Sequence, residues 1–158
     1  MFFALAPGTV AGLVPWWLTG WRMRRPVSHL LPVRVLGVLL MVAAAVVLVR
    51  AFVRFVGEGL GTPAPVAPPR RLVVGGLYRY VRNPMYLAVM AAFAGQALLL
   101  WQAVLLWYGV AAAAAMVGFV LGVEEPGLRR RYGADYDAYR RAVPGWYPRL
   151  RPWRPDRS

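Results

Sequence analysis

Four long apolar runs constrain the fold of this chain more than any other feature of its sequence. They cover about residues 2–20, 33–54, 84–101 and 103–123. A helix needs ~20 mainly apolar residues to cross a bilayer, so each run can cross one or nearly do so. With 59% hydrophobic residues, the chain is more apolar than a water-soluble domain of this size. The sequence therefore predicts an all-α integral membrane bundle of about four transmembrane helices, followed by a short helical C-terminal tail.

The first and the last two runs have informative boundaries. The first is interrupted by Pro7, Gly8, Gly12 and Pro15, which makes it the weakest of the four. No basic residue precedes it and no small-residue cleavage site follows it, so we expect a retained helix rather than a signal peptide. The last two runs are separated by almost nothing, which predicts a tight antiparallel hairpin over residues 84–123.

Charge orients this bundle. All 19 basic residues are arginine, the net charge is +13, and the arginines cluster at the ends of apolar runs. Such positions meet lipid headgroups, which favours a membrane partner over nucleic acid. With four crossings, one side holds 15 arginines (50, 54, 70, 71, 79, 82, 129, 130, 131, 140, 141, 149, 151, 154, 157) and the first loop holds four (22, 24, 25, 34). The side with more arginines, which holds both termini, is then predicted to be cytoplasmic. The use of arginine in place of lysine suggests a bacterial genome of high GC content, and hence a bacterial inner membrane.

Several kinds of site are excluded by what the chain lacks. It has no cysteine, and His29 is its one histidine, so disulfides, thiolate chemistry and a histidine-cluster metal site are not expected. The stretch "GEGLG" at 57–61 imitates a nucleotide-binding loop. It follows a membrane helix and runs into "TPAP", however, whereas such a loop needs a preceding strand and a following helix. We therefore interpret it as a flexible helix exit.

The chain is predicted to have two parts. Residues 1–54 hold the N-terminal transmembrane helices, and residues 55–158 hold an interfacial loop, the hairpin and the tail. Within the loop, "GTPAPVAPPRR" (61–71) is too rich in proline for a helix and is expected to be an extended connector.

The tail is predicted to form two short helices. They are broken at Gly133, and the second begins at Ala134 or Asp135. Pro144 and Pro148 end it.

Polar side chains collect at one depth of the predicted hairpin. Because the hairpin turns near residue 103, Arg82 and Glu124, each 21 residues away, are expected to lie at the same membrane boundary. An ionisable group near the hydrocarbon costs up to ~3 kcal/mol unless it has a partner or a wet cavity. Neighbouring helix positions point ~100° apart, so one of Glu124 and Glu125 is expected to face inward.

Each of these residues has an ordinary structural explanation. Asn83 and Pro84 suit the start of a helix, paired glutamates can end one in headgroup water, and tyrosines line membrane interfaces. The ordinary explanations do not account for the convergence of so many polar residues in segments that return to one place: Arg79, Arg82, Tyr86, Glu124, Glu125, Tyr136, Tyr139 and Arg140.

The chemistry of this set matches S-adenosylmethionine. Arginine binds a carboxylate with its planar fork, glutamate accepts from hydroxyl or ammonium groups, and tyrosine faces attract a sulfonium cation. Methyl transfer needs positioning and exclusion of water more than it needs a metal. A site at the membrane boundary would admit the polar cofactor from the cytosol and a lipidic acceptor from the bilayer.

The run "GTPAPVAPPRRLVVGGLYRYVRNPMY", the hairpin and then "EEPGLRRRYGADYDAYRRAVPGWYPR" resemble the isoprenylcysteine carboxyl methyltransferase family, which also takes in phospholipid methyltransferase-like proteins. The resemblance covers about residues 55–150 and implies a helical membrane enzyme that uses S-adenosylmethionine. Arg82, Pro84 and Tyr86 match the family's R-H-P-x-Y, and "EE" matches its paired glutamates. The resemblance implies that Arg82 and Glu125 are catalytic. It also implies cofactor-binding roles for Tyr78, Arg79, Asn83, Pro84, Tyr86, Glu124, Tyr136, Tyr139 and Arg140.

One position departs from the family pattern. Asn83 stands where the carboxyl methyltransferases have histidine, and an amide cannot titrate near neutral pH. Cofactor binding remains expected, but histidine-dependent acid–base chemistry does not transfer. The acceptor stays open among a carboxylate, an amine and a thiol, since a free carboxylate needs no base whereas an ammonium group must first lose a proton.

Two other functions are compatible with the sequence. A non-catalytic membrane scaffold or transporter-associated protein of the same fold would bind no cofactor. Binding of lipid headgroups by the arginine-rich tail alone would depend on Arg129–Arg131 and on salt.

Overall fold

The structure is a computed structural model that describes residues 12–20, 22, 31–59 and 72–154. Every regular element within these residues is helical, which confirms the all-α prediction for them. The α-helices are α1 (Val14–Thr19), α2 (Leu31–Gly59), α3 (Pro84–Leu100), α4 (Ala103–Phe119) and α5 (Glu125–Ala142). A 3-10 turn (Gly76–Arg79) precedes α3, and a π-helical segment (Val120–Glu124) joins α4 to α5.

Among the residues that the structure describes, two helical stretches are long and apolar enough to cross a membrane. They are Leu31–Arg54, with 24 residues, and the apolar part of the continuous helix Ala103–Ala142. The helix α3 is apolar but has 17 residues. Two of the four predicted crossings are therefore supported by both length and composition. Most of the predicted first crossing, residues 2–20, lies outside the described residues.

The chain divides into two compact units. One comprises Met1–Leu48 with Tyr86–Ala115, and the other comprises Val49–Met85 with Met116–Ser158. The predicted division after residue 54 stays a prediction.

In the first unit, α2 and α3 touch through a pair of glycines. A Cβ atom added at Gly37 would lie 2.7 Å from the carbonyl oxygen of Gly95 and 2.8 Å from the amide nitrogen of Leu99. A Cβ atom at Gly95 would lie 2.8 Å from the carbonyl oxygen of Gly37. Such distances leave no room for a side chain, so small residues let the two backbones meet, as is common between membrane helices.

The predicted hairpin is present in the same unit. Between α3 and α4 lie only Trp101 and Gln102, and Trp101 has φ of 51°, a left-handed conformation that helps to reverse the chain. Across the two helices, the rings of Phe93 and Tyr108 meet edge to face at 5.3 Å between centroids. The turn therefore lies where the apolar pattern predicted it.

In the second unit, a proline explains the π-helical segment. Pro126 lies in the first turn of α5, has no N–H and cannot bond to a carbonyl four residues earlier. Just before it, the N–H of Glu125 bonds to the carbonyl of Val120, five residues back. This wider turn keeps α4 and α5 continuous through the proline, and π-type turns of this kind often occur at functional sites.

The tail breaks and ends as predicted. Gly133 has φ of 52° and ψ of −123°, which are not helical values, so α5 is kinked at this residue. The helix ends at Ala142, and Val143 before Pro144 is extended. The end of α2 differs from the prediction, because the helix continues to Gly59 rather than stopping near residue 54. The first three residues of "GEGLG" are thus helical, while the connector at 61–71 lies outside the described residues.

We expect Gly37→Ala to destabilise the protein by about 2 kcal/mol, because the added methyl group overpacks a contact between two backbones. The measurement is thermal or denaturant unfolding of the protein in detergent. Gly118→Ala is the matched control, since a Cβ atom there meets nothing within 4 Å. Equal stability of the two variants would contradict the close approach of α2 and α3.

Candidate functional site

Arg82 is the centre of a polar cluster in the second unit. Its backbone N–H donates to the carbonyl of Pro144 at 2.9 Å, and its Nε donates to the carbonyl of Val143 at 3.0 Å. Its Nη1 donates to Oε1 of Glu125 at 2.5 Å and to the hydroxyl of Tyr136 at 3.1 Å. The guanidinium is planar and rigid, so these bonds hold the whole group in one orientation.

Glu125 is the buried acid of this cluster. Its side chain is 7% exposed, and its second oxygen, Oε2, lies 3.2 Å from Nη2 of Arg140. A buried carboxylate is costly unless it is paired, and here two arginines pair with it. Glu124, one residue earlier, is half-buried. Of the two adjacent glutamates, Glu125 is therefore the one that reaches Arg82.

Three buried residues at and just after the end of α5 support the cluster from one side. Tyr136 and Tyr139 of α5 and Val143, the first residue of the extended segment after it, are each 3% exposed or less. The spacing of three residues places the two tyrosines on one face of α5, and Val143 packs against them. The side chains of Leu72, Val74, Leu128, Tyr132 and Trp153 pack around them. This apolar support fixes the hydroxyl of Tyr136 beside Arg82.

Tyr78 and Tyr139 are two buried tyrosines next to this cluster. The hydroxyl of Tyr139 donates to the backbone carbonyl of Tyr78 at 2.6 Å. Burial raises the pKa of Tyr78, and the nearby Tyr139 and Glu124 raise it further. The Tyr78 hydroxyl therefore stays protonated at neutral pH. The ring of Tyr139 also packs on Trp153, with 5.4 Å between centroids.

The segment after α5, residues 143–154, runs back along the residues that precede α3, and we call it the strap. The backbone N–H of Arg149 donates to the carbonyl of Tyr80 at 3.0 Å, and that of Trp153 donates to the carbonyl of Arg79 at 2.9 Å. Nε of Arg79 donates back to the carbonyl of Trp153 at 2.6 Å. The strap therefore holds the segment that carries Arg82 from end to end.

Asn83 carries a side-chain donor that no described residue pairs with. Its Nδ2 atom is buried and has no hydrogen-bond partner among the described residues. A Cβ atom added at Gly145 would lie 3.5 Å from this nitrogen and 3.1 Å from Nη2 of Arg82. Leaving a buried donor unpaired costs about 1–3 kcal/mol. The amide is thus available to an acceptor from outside the protein.

The structure brings most of the predicted site residues together. One cluster of ion pairs and hydrogen bonds contains Arg82, Glu125, Tyr136 and Arg140. The other residues adjoin this cluster in the sequence or contact the strap and its neighbours: Tyr78, Arg79, Asn83, Pro84 and Tyr139. Glu124 is close enough to Tyr78 to influence its pKa. Tyr86 belongs to the other compact unit. Their roles in binding or catalysis stay predictions.

Sequence reasoning missed the residues that position Arg82 from the strap. Val143 and Pro144 act through backbone carbonyls, which every residue carries, so no side-chain pattern could have revealed them. Trp153 follows a run of prolines and arginines that offers no periodic signal. Only the path of the folded chain places it on Tyr139.

Comparison with known protein families gives one result. A family model described as phospholipid methyltransferase matches residues 32–135, well over half of the chain. No curated protein and no solved structure matches. The matched range includes Arg82, Asn83 and Glu125 and ends one residue before Tyr136.

We expect Glu125→Gln to destabilise the protein by about 3 kcal/mol, because it leaves the guanidinium of Arg82, 13% exposed, without its buried counter-charge. The measurement is unfolding in detergent. Asp137→Asn is the matched control, since it removes the acid of a pair with Arg129, whose side chain is 63% exposed. Such an exposed pair contributes about 1 kcal/mol or less. Equal losses would show that the Glu125 pair is no more important than a surface pair.

Proposed function

Because this chain belongs to the phospholipid methyltransferase family, we propose that it is a membrane methyltransferase that uses S-adenosylmethionine and methylates a lipidic acceptor. The observation that carries the proposal is the buried cluster of Arg82 and Glu125 and, beside it, the Nδ2 atom of Asn83, which is unpaired among the described residues. We further propose four membrane crossings, cytoplasmic termini and a bacterial inner membrane, as the distribution of arginines predicts.

The cluster fits the functional groups of S-adenosylmethionine. That cofactor has a carboxylate, an ammonium group, ribose hydroxyls and a sulfonium centre. The buried Nδ2 of Asn83 has no acceptor within the described part of the chain, so it suits a carboxylate or hydroxyl oxygen of the cofactor. Arg140, whose side chain is 46% exposed, offers further guanidinium donors at the edge of the cluster. When bound, the cofactor supplies an activated methyl group on a cationic sulfur.

Within this proposal, Arg82 orients the bound groups. Its guanidinium is fixed before any ligand arrives, because Glu125, Tyr136 and Val143 already occupy three of its directions. A donor held in place in this way need not be reoriented during the reaction, which is the main contribution expected of a site that works by positioning. Glu125 and Tyr136 then act through Arg82.

The same residues limit the proton chemistry. An amide and a guanidinium cannot accept a proton near neutral pH, and Tyr78 stays protonated there. Arg82, Asn83 and Tyr78 therefore bind and orient, and none of them serves as a base. An acceptor that already carries a free lone pair, such as a carboxylate, needs nothing more from them, whereas an ammonium group needs a base from elsewhere.

A lipidic acceptor is supported by the helix that leads to the cluster. Phe119, Leu121 and Val123 are about half exposed along the last apolar turns before Glu124. Exposed apolar side chains in this number suit contact with lipid rather than water. The buried pair of Arg82 and Glu125 follows directly, so a lipid beside this helix would lie next to the polar groups.

We expect S-adenosylmethionine and S-adenosylhomocysteine to bind the detergent-purified protein saturably, as measured by isothermal titration calorimetry. Asn83→Ser should weaken binding by roughly tenfold or more, because the shorter side chain withdraws the donor from the position where Nδ2 would meet a charged group. The same substitution should leave the unfolding temperature unchanged or raise it, since Nδ2 has no partner among the described residues. Serine still suits the position before a helix, which protects the start of α3.

A second pair of variants controls for charge. Arg82→Lys keeps the positive charge but loses the planar fork, so it should weaken binding, whereas Arg130→Lys at an exposed position should not. Absence of binding at millimolar cofactor, in protein shown to be folded by circular dichroism, would overturn the methyltransferase proposal. That result would support a non-catalytic scaffold of the same fold.

A further inference from the structure

We call four exposed residues of the strap its outward side: Tyr147, Leu150, Arg151 and Arg154. Tyr147 is 70% exposed and Leu150 is 99% exposed. Arg151 and Arg154 are exposed beside them. The inward side of the same segment is occupied by the backbone bonds of Arg149 and Trp153 to the residues before α3. The backbone of the strap therefore bonds to the residues before α3, while its exposed side chains present an aromatic ring, an aliphatic side chain and two positive charges.

This surface begins where an apolar helix ends. The exposed apolar side chains before Glu124 stop at the buried pair of Glu125 and Arg82. Arg82 bonds directly to the carbonyls of Val143 and Pro144, the first two residues of the strap. Two hydrogen-bonded steps thus connect the end of the apolar helix to the start of the strap. If that helix lies in lipid, the strap lies at the level of the headgroups.

The composition of the strap suits that level. Tyrosine and tryptophan are enriched where the hydrocarbon meets the headgroups, and exposed arginines are attracted to anionic lipid. The described residues of the strap contain no acid, so nothing within it neutralises Arg151 and Arg154. Two arginines of α5 differ in this respect, since Arg129 pairs with Asp137 and Arg140 pairs with Glu125.

We propose that the outward side of the strap, formed by Tyr147, Leu150, Arg151 and Arg154, is an anchor that docks on the headgroup region of a bilayer containing anionic phospholipid. Leu150 and Tyr147 lie among the upper acyl chains, and the two arginines bind lipid phosphates. The docked strap carries the carbonyls that orient Arg82, so the bilayer surface helps to fix the polar cluster. This role requires no methyl transfer and can be tested apart from it.

The absence of cysteine allows a direct test. A spin label at Leu150→Cys reports the depth of the strap, and a label at Ala138→Cys, an exposed position on α5, is the matched reference. The protein is placed in nanodiscs of phosphatidylcholine, alone or mixed two to one with phosphatidylglycerol. Power-saturation electron paramagnetic resonance then measures the access of oxygen, which concentrates in lipid, and of a nickel chelate, which stays in water.

In the mixed nanodiscs, we expect the ratio of oxygen to nickel accessibility to be severalfold higher at position 150 than at position 138. The ratio at 150 should fall in pure phosphatidylcholine. It should also fall in about 1 M salt, where the screening length is about 3 Å. Arg151→Gln with Arg154→Gln should remove the dependence on phosphatidylglycerol. Arg130→Gln with Arg131→Gln removes the same charge from α5 and should leave it intact.

Three results would overturn the anchor. The first is equal accessibility at positions 150 and 138. The second is an equal loss of lipid dependence with both pairs of variants, which would assign the effect to net charge. The third is a water-exposed label at 150 combined with salt-sensitive binding of fluorescent single-stranded RNA that Arg151→Gln with Arg154→Gln weakens. Leu150 is 99% exposed, so the labelled variant is expected to fold, and its unfolding temperature verifies this.

Discussion

The ion pair between Arg82 and Glu125 is the interaction on which the rest of the second unit depends. A carboxylate that is 7% exposed at the end of an apolar helix is tolerable only if its charge is matched, and Arg82 matches it. The π-helical turn before Pro126 brings Glu125 to one side of this contact, and the carbonyls of the strap hold Arg82 on the other. The end of α4, the start of α5, the segment before α3 and the strap therefore meet at a single charge pair.

The cluster combines a guanidinium group fixed by protein hydrogen bonds with a side-chain donor that has no partner among the described residues. Arg82 is held by three side-chain bonds that the protein supplies, so its direction is set before a ligand binds. In its neighbour Asn83, the buried Nδ2 atom is unpaired within the part of the chain that the structure describes. A fixed guanidinium beside an unpaired amide N–H is the arrangement expected of a preorganised binding site for a polar ligand. Membership of the phospholipid methyltransferase family gives that ligand a chemical identity to test.

The strap adds a part that the family match does not reach. The matched range ends at residue 135, so Tyr136 and the whole strap lie beyond it, although they supply three of the bonds to Arg82. The polar residues within the matched range thus depend on a C-terminal segment whose contribution is mostly backbone. The proposed docking of the strap on lipid would act on the cluster through these bonds.

The sequence by itself determined the helical class, the hairpin and the break at Gly133, because apolar run length, a short polar gap and glycine act locally. It also placed Arg82 level with the paired glutamates, since depth in a hairpin follows from counting residues. The tertiary structure alone decided that Glu125 bonds to Arg82 and that Nδ2 of Asn83 is unpaired among the described residues. Those outcomes depend on the rotation of the helix at the π-helical segment and on backbone carbonyls from a distant segment. The helices are apolar on nearly every face, so their sequence carries no periodic pattern that would reveal the rotation. Backbone carbonyls are present in every residue and carry no sequence signal.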